Sequence, residues 1–126
     1  RNIIENDKYC KTTVIEIDVK IQKEYEVKKL KDIQYNVRGR GGTRLFPAFI
    51  RCKELKTDVT LVFTDGYCDN LNQINKELLP KRIIYILTNN GETKYIDRTG
   101  YIVRLPKWYF MVIIYQTKKN GIFIQK

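Results

Sequence analysis

The sequence predicts an α/β domain built on a doubly wound, mostly parallel sheet with helices on both faces. Three observations predict it. Short apolar, β-branched runs recur at 12–19, 59–64, 82–88 and 101–105. Stretches with helical spacing separate the middle ones, and the links are short, which is the rhythm of alternating strands and helices.

Taken in order, residues 3–10 read as the end of a helix. Thr12-Thr-Val-Ile-Glu-Ile-Asp18-Val alternates and is rich in β-branched residues, so it reads as a strand with Asp18 at its carboxyl end. Ile21 to Val27 alternates less cleanly and predicts an extended arm or a second, edge strand, and 29–37 is a connection with room for a further short strand. Gly39, Gly41 and Gly42 interrupt the pattern, as positions that need positive φ or close approach to a ligand would. Leu45, Phe46, Phe49, Ile50 and Leu55 then recur at helical spacing, predicting a helix over Pro47 to Lys56 with proline in its first turn.

Val59 to Thr64 is an apolar strand, Asp65 to Asn70 a loop, and Leu71 to Leu79 a short helix stopped by Pro80. Arg82 to Thr88 is a further strand, closed by Asn89-Asn-Gly91, and Tyr101 to Leu105 a shorter one. The tail departs from this rhythm. Tyr109 to Gln116 reads as a long strand, Asn120-Gly121 carries the signal of a tight turn, and Ile122 to Gln125 would return, making a carboxyl-terminal β-hairpin.

The 126 residues form a single domain, 1–126, and 43% hydrophobic with 30% charged residues excludes a disordered chain. The longest apolar run, Trp108 to Tyr115, is too short to span a bilayer, and no apolar segment near Arg1 resembles a signal peptide. A cytoplasmic protein with no membrane contact is the expectation. Cys10, Cys52 and Cys68 are odd in number and widely spaced, which fits neither a disulfide framework nor a zinc site. Histidine is absent, which excludes within these residues Ser-His-Asp and Cys-His nucleophiles and His-ligated zinc. Any metal must be a hard ion held by oxygens.

Two residues carry the candidate chemistry. Thr43 ends the glycine turn with a neutral hydroxyl, and Asp65 ends a strand with a carboxylate. Loops at neighbouring strand ends can bring both to one Mg²⁺ or Mn²⁺, with Asp18 and Asp69 as further polar groups. The alternative is a turn and helix cap at Gly41-Gly42-Thr43 and a carboxylate-capped turn at Asp65-Gly66.

Gly39-Arg-Gly-Gly-Thr43-Arg-Leu-Phe-Pro-Ala-Phe49, a helix, a strand and then Phe63-Thr-Asp65-Gly-Tyr67 resemble the carboxyl-terminal half of the von Willebrand factor A-like (VWA-like) domain. The similarity is to the bacterial branch that carries a metallopeptidase label. Val14-Ile-Glu-Ile-Asp18 resembles that branch's earlier strand ending in aspartate, and Leu79-Pro80 followed by Ile84-Tyr-Ile-Leu-Thr88 its later strand. The resemblance covers about residues 12–105, with 106–126 an atypical tail.

The resemblance implies a Rossmann-like sheet and a metal-ion-dependent adhesion site made of an Asp-x-Ser-x-Ser run, a threonine and an aspartate. Thr43 and Asp65 match the last two. No Asp-x-Ser-x-Ser occurs, so the family's first, central strand and its metal loop are expected to be missing. The tail strand 110–115 would then fill the empty place, extend a sheet edge, or pair with a second copy as a homo-oligomer. The metal site is expected to be incomplete and Mg²⁺ or Mn²⁺ binding weak.

The implied function is a truncated or degenerate protein-interaction module, with a MoxR-type AAA+ ATPase system as the kind of partner such domains serve. It is not an enzyme, and no zinc motif carries the metallopeptidase label over. Two other readings stand beside it. The net charge of +10, nine tyrosines, and Arg38, Arg40 and Arg44 around the glycine turn fit a nucleic-acid-binding domain. Asp18, Asp65 and Asp69 fit a divalent-metal-dependent hydrolase.

Overall fold

The computed structural model describes residues 11–28 and 43–106, together with the backbone of 120–125. Six strands form one sheet: β1 (Lys11–Ile17), β2 (Ile21–Val27), β3 (Val59–Thr64), β4 (Ile83–Leu87), β5 (Tyr101–Arg104) and β6 (Asn120–Gln125), in the order β2-β1-β6-β3-β4-β5. β1 and β2 form an antiparallel hairpin, and every other pairing is parallel. The architecture is therefore mixed α/β with a mostly parallel sheet.

Each strand follows from its composition. The apolar runs of β3 and β4 lie inside the sheet, where both faces leave water. β2, with Lys23, Glu24 and Glu26 among its seven residues, forms one edge, and charged side chains there discourage pairing with other chains. α1 (Phe46–Leu55) carries Pro47 in its first turn and buries Ala48, Phe49 and Cys52. It ends at Lys56, whose φ of 55° is left-handed, with the Thr57 amide donating to the Cys52 carbonyl.

One sheet face, bearing Ile15, Ile17, Val62, Ile83, Tyr85 and Leu87, packs against α1 in the main core. Leu71, Leu79 and Ile96 complete it from the connections. The Phe49 and Tyr85 rings meet edge to face with centroids 6.4 Å apart, and the Tyr85 hydroxyl shares a 2.6 Å hydrogen bond with Thr99. On the other face Val14, Leu61 and Ile86 are also buried. Among the described residues no helix is long and apolar enough to cross a membrane.

Two expectations are corrected. Residues 71–79 form two 3₁₀ turns, Leu71–Gln73 and Lys76–Leu78, in place of a short helix. The segment is held by long-range bonds, Leu71 and Asn72 amides both donating to the Tyr95 carbonyl, and Asn75 caps the second turn through the Glu77 amide.

The tail hairpin is the second correction. Asn120 and Gly121 are the first two residues of β6, and not a turn. β6 lies between β1 and β3, parallel to both, with Phe123 in register with Val14 and Leu61. With both edges engaged, Ile122 to Gln125 has no edge left to return along 109–116. The local Asn-Gly turn preference yields to two full ladders of sheet hydrogen bonds. Residues 109–116, for which the vacant central place, a sheet edge and a second copy are the expected alternatives, lie outside the described residues, as do 3–10 and 29–37; the strand in the centre of the described sheet is Asn120–Gln125.

Candidate functional site

β1, β6, β3 and β4 all run in the same direction, so their carboxyl ends gather at one end of the sheet. Three segments meet there. Asp18 follows β1, Thr43 to Leu45 leads into α1, and Asp65 to Asn70 follows β3. Ligands of open parallel sheets gather at such ends, where the chain's direction of travel across the sheet reverses.

Backbone bonds join the three segments. The Arg44 amide donates to the Asp18 carbonyl at 2.7 Å, and Thr43 makes an isolated parallel bridge with Cys68. Asp69 then clasps the start of α1: its Oδ1 accepts from the Leu45 amide at 2.7 Å and its Oδ2 from the Phe46 amide at 3.1 Å. Leu45 supplies no side-chain cap to this helix. The carboxylate therefore satisfies helix amides from a different loop.

Thr43 is buried, and among the described residues its Oγ1, like that of Thr12, has no hydrogen-bond partner. A buried hydroxyl without a partner is costly, so this atom has bonding capacity to offer at this end of the sheet. Asp65 accepts the Tyr67 amide at 3.0 Å through Oδ1 while its carbonyl accepts the Glu92 amide at 2.8 Å. Gly66, at φ +82°, makes the turn beside it, and the Thr64 hydroxyl accepts the Gly66 amide. This is the Asx-type turn foreseen as the alternative for Asp65-Gly66.

Asp18 is occupied by its own turn, its Oδ1 accepting from the Lys20 amide at 3.1 Å and the Gln22 side chain at 2.9 Å. Those bonds, the Lys20 amide first, hold its pKa below the ordinary carboxylate value. Of the arginines around the glycine turn, Arg44 is exposed. Arg38 and Arg40 lie outside the described residues, as do Gly39, Gly41 and Gly42.

The oxygens present are a partial match to a hard divalent ion. Thr43 offers a free hydroxyl and Asp65 a carboxylate on neighbouring segments, but among the described residues no three acidic or cysteine side chains cluster to hold a metal. Arg104 was not foreseen as part of this end of the sheet. Its Nη1 donates to the Asn89 carbonyl at 2.9 Å and the Gly91 carbonyl at 2.8 Å, fixing the loop after β4. Nothing local in the sequence signals that contact or the Asp69 clasp, since each joins residues more than ten positions apart. Comparison with protein-family models, with curated proteins and with solved structures finds no match for the chain.

Proposed function

We propose that the domain is a VWA-like protein-interaction module with a partial metal-ion-dependent adhesion site at Thr43 and Asp65. One observation carries this reading: the Thr43 segment and the Asp65–Asp69 loop are joined at the carboxyl ends of a parallel sheet, with the Thr43 hydroxyl buried and unpaired. The strand order supports it. With β6 counted as the first strand, β2-β1-β6-β3-β4-β5 has the 3-2-1-4-5-6 order of doubly wound, Rossmann-like sheets. β6 thus takes the central place that the family's first strand takes.

The register of β6 also directs attention to its carboxyl end. Gln125 pairs with Glu16 and Phe63, so the backbone leaves β6 between the strands that end near Asp18 and Asp65. The family places a carboxylate and two hydroxyls after its central strand, and Gln125 closes β6 here. No Asp-x-Ser-x-Ser occurs in these residues, so weak Mg²⁺ binding is the expectation of this reading. Recognition of an acidic group on a partner, a MoxR-type AAA+ ATPase among the candidates, is the use such a site supports.

Two measurements test this. Calorimetric titration with Mg²⁺ and Mn²⁺ is expected to show no tight binding, and saturation in the low micromolar range would overturn the incomplete site. Co-purification with a MoxR-type ATPase is expected to be lost in Asp65→Ala and Thr43→Ala; a complex indifferent to both substitutions would remove the site from the interaction.

A further inference from the structure

The opposite end of the sheet, where strands begin and α1 ends, has a different chemistry. Three adjoining recesses of about 480, 480 and 370 Å³ lie there, each within the usual size of a small-ligand cleft. Lys81 lines all three, Arg82 the first and third, and Thr99 the second and third, so they adjoin along one surface track. Its walls carry Lys53, Lys56, Lys76, Lys81, Arg82 and Arg98. Against these six cations stand two carboxylates, Asp58 and Glu77.

Most of this positive charge is not neutralised in place. The ion pairs among the described residues involve Lys11, Arg51, Glu24, Glu26 and Glu54, so Lys76, Lys81, Arg82 and Arg98 have no acidic partner there. Lys53 donates to the Glu77 carbonyl and not to its carboxylate. At the far end of the track Tyr101, the first residue of edge strand β5, is 78% exposed. A large aromatic ring in water at the mouth of a basic track is a ready stacking surface.

We propose that this track binds single-stranded nucleic acid, with the backbone phosphates following the lysine and arginine side chains and a base stacking on Tyr101. A polyanion with regularly spaced charge matches a line of cations, and an aromatic platform adds what an acidic peptide does not need. The track is at the other end of the sheet from Thr43 and Asp65, so it stands independently of the interaction site above.

Fluorescence anisotropy with a labelled single-stranded oligothymidine tests it, using the whole chain at several salt concentrations. Binding is expected to weaken steeply with salt. Lys81→Glu with Arg82→Glu is expected to weaken it at least about tenfold and to flatten the logarithmic salt slope by about 1.4, two phosphate contacts' worth. The same charge change at Lys20 and Lys23, on the other edge of the sheet, should have little effect. Tyr101→Ala should cost at least about fivefold for the single strand and leave duplex binding unchanged.

The substituted positions are all exposed, and circular dichroism melts of each variant are to check that it folds. Absence of binding at low salt, an equal loss in the Lys20 and Lys23 control, or indifference to Tyr101→Ala would overturn the proposal. Equally tight binding of polyglutamate of matched charge would also overturn it and assign the track to an acidic protein.

Discussion

The carboxylate of Asp69 accepts the Leu45 amide at 2.7 Å and the Phe46 amide at 3.1 Å, capping α1 from a loop that follows the next strand. This clasp closes the Thr43 segment against the loop that begins at Asp65. Replacing Asp69 with alanine leaves two helix amides unpaired and removes a negative charge from the helix start, at a cost of about 1–2 kcal/mol. Asp69→Asn keeps one acceptor and should lose less. Urea denaturation of the two variants checks the order, and an unchanged midpoint for Asp69→Ala would show that the clasp contributes nothing.

Gly66 has no room for a side chain. A Cβ there would lie 1.8 Å from the Glu92 carbonyl oxygen, and φ is +82°. Gly66→Ala is expected to destabilise by about 2–4 kcal/mol, from left-handed strain and overpacking together. Thermal melting reads the loss, and a melting temperature equal to that of the parent would refute the turn geometry.

Arg51 of α1 grips Glu24 of β2 in a two-pronged ion pair at 2.7 and 2.9 Å. The hydrogen bonds from Arg51 hold the Glu24 pKa below its ordinary 4.5. A lowered carboxylate pKa stabilises the fold above the unfolded value and is lost as pH falls through the folded one. The contribution should therefore be full at neutral pH and fade below pH 4.5. Because the Arg51 side chain is 36% exposed, solvent screening keeps it small. Glu24→Gln should lower stability slightly at neutral pH and match the parent in strong acid, as chemical denaturation under the two conditions will show.

Cys52 faces the core, and burial pushes its thiol pKa up to about 12. The thiolate is the reactive form, so at mildly alkaline pH Cys52 should resist iodoacetamide in the folded protein and react in denaturant. Peptide mapping by mass spectrometry distinguishes the states. Rapid native labelling of Cys52 would contradict its place on the buried face of α1.

Elements whose signal is local were legible. Val59 to Thr64 needs only its β-branched apolar run to be a strand, and Leu45, Phe46, Phe49, Ile50 and Leu55 need only their spacing to predict a helix, though Ile50 is exposed in it. Asp18 and Asp65 at strand ends were legible for the same reason. The 71–79 segment was not, because its shape is set by the Tyr95 carbonyl, far along the chain. Asp69 reads by type as a further polar group of a metal-dependent site and is a helix clasp by position.

The sequence by itself determined the mixed α/β alternation, the charged character of β2 and the absence of imidazole ligands within these residues, since composition and short-range period carry these. The tertiary structure decided which strand fills the centre. Asn-Gly followed by Ile-Phe-Ile reads equally well as a hairpin return or a central strand, because strand periodicity is the same in both. What selects between them is pairing with Lys11–Glu16 and Val59–Phe63, both distant along the chain. That choice is made by non-local hydrogen bonding across two strand edges, which no local pattern in 120–125 encodes.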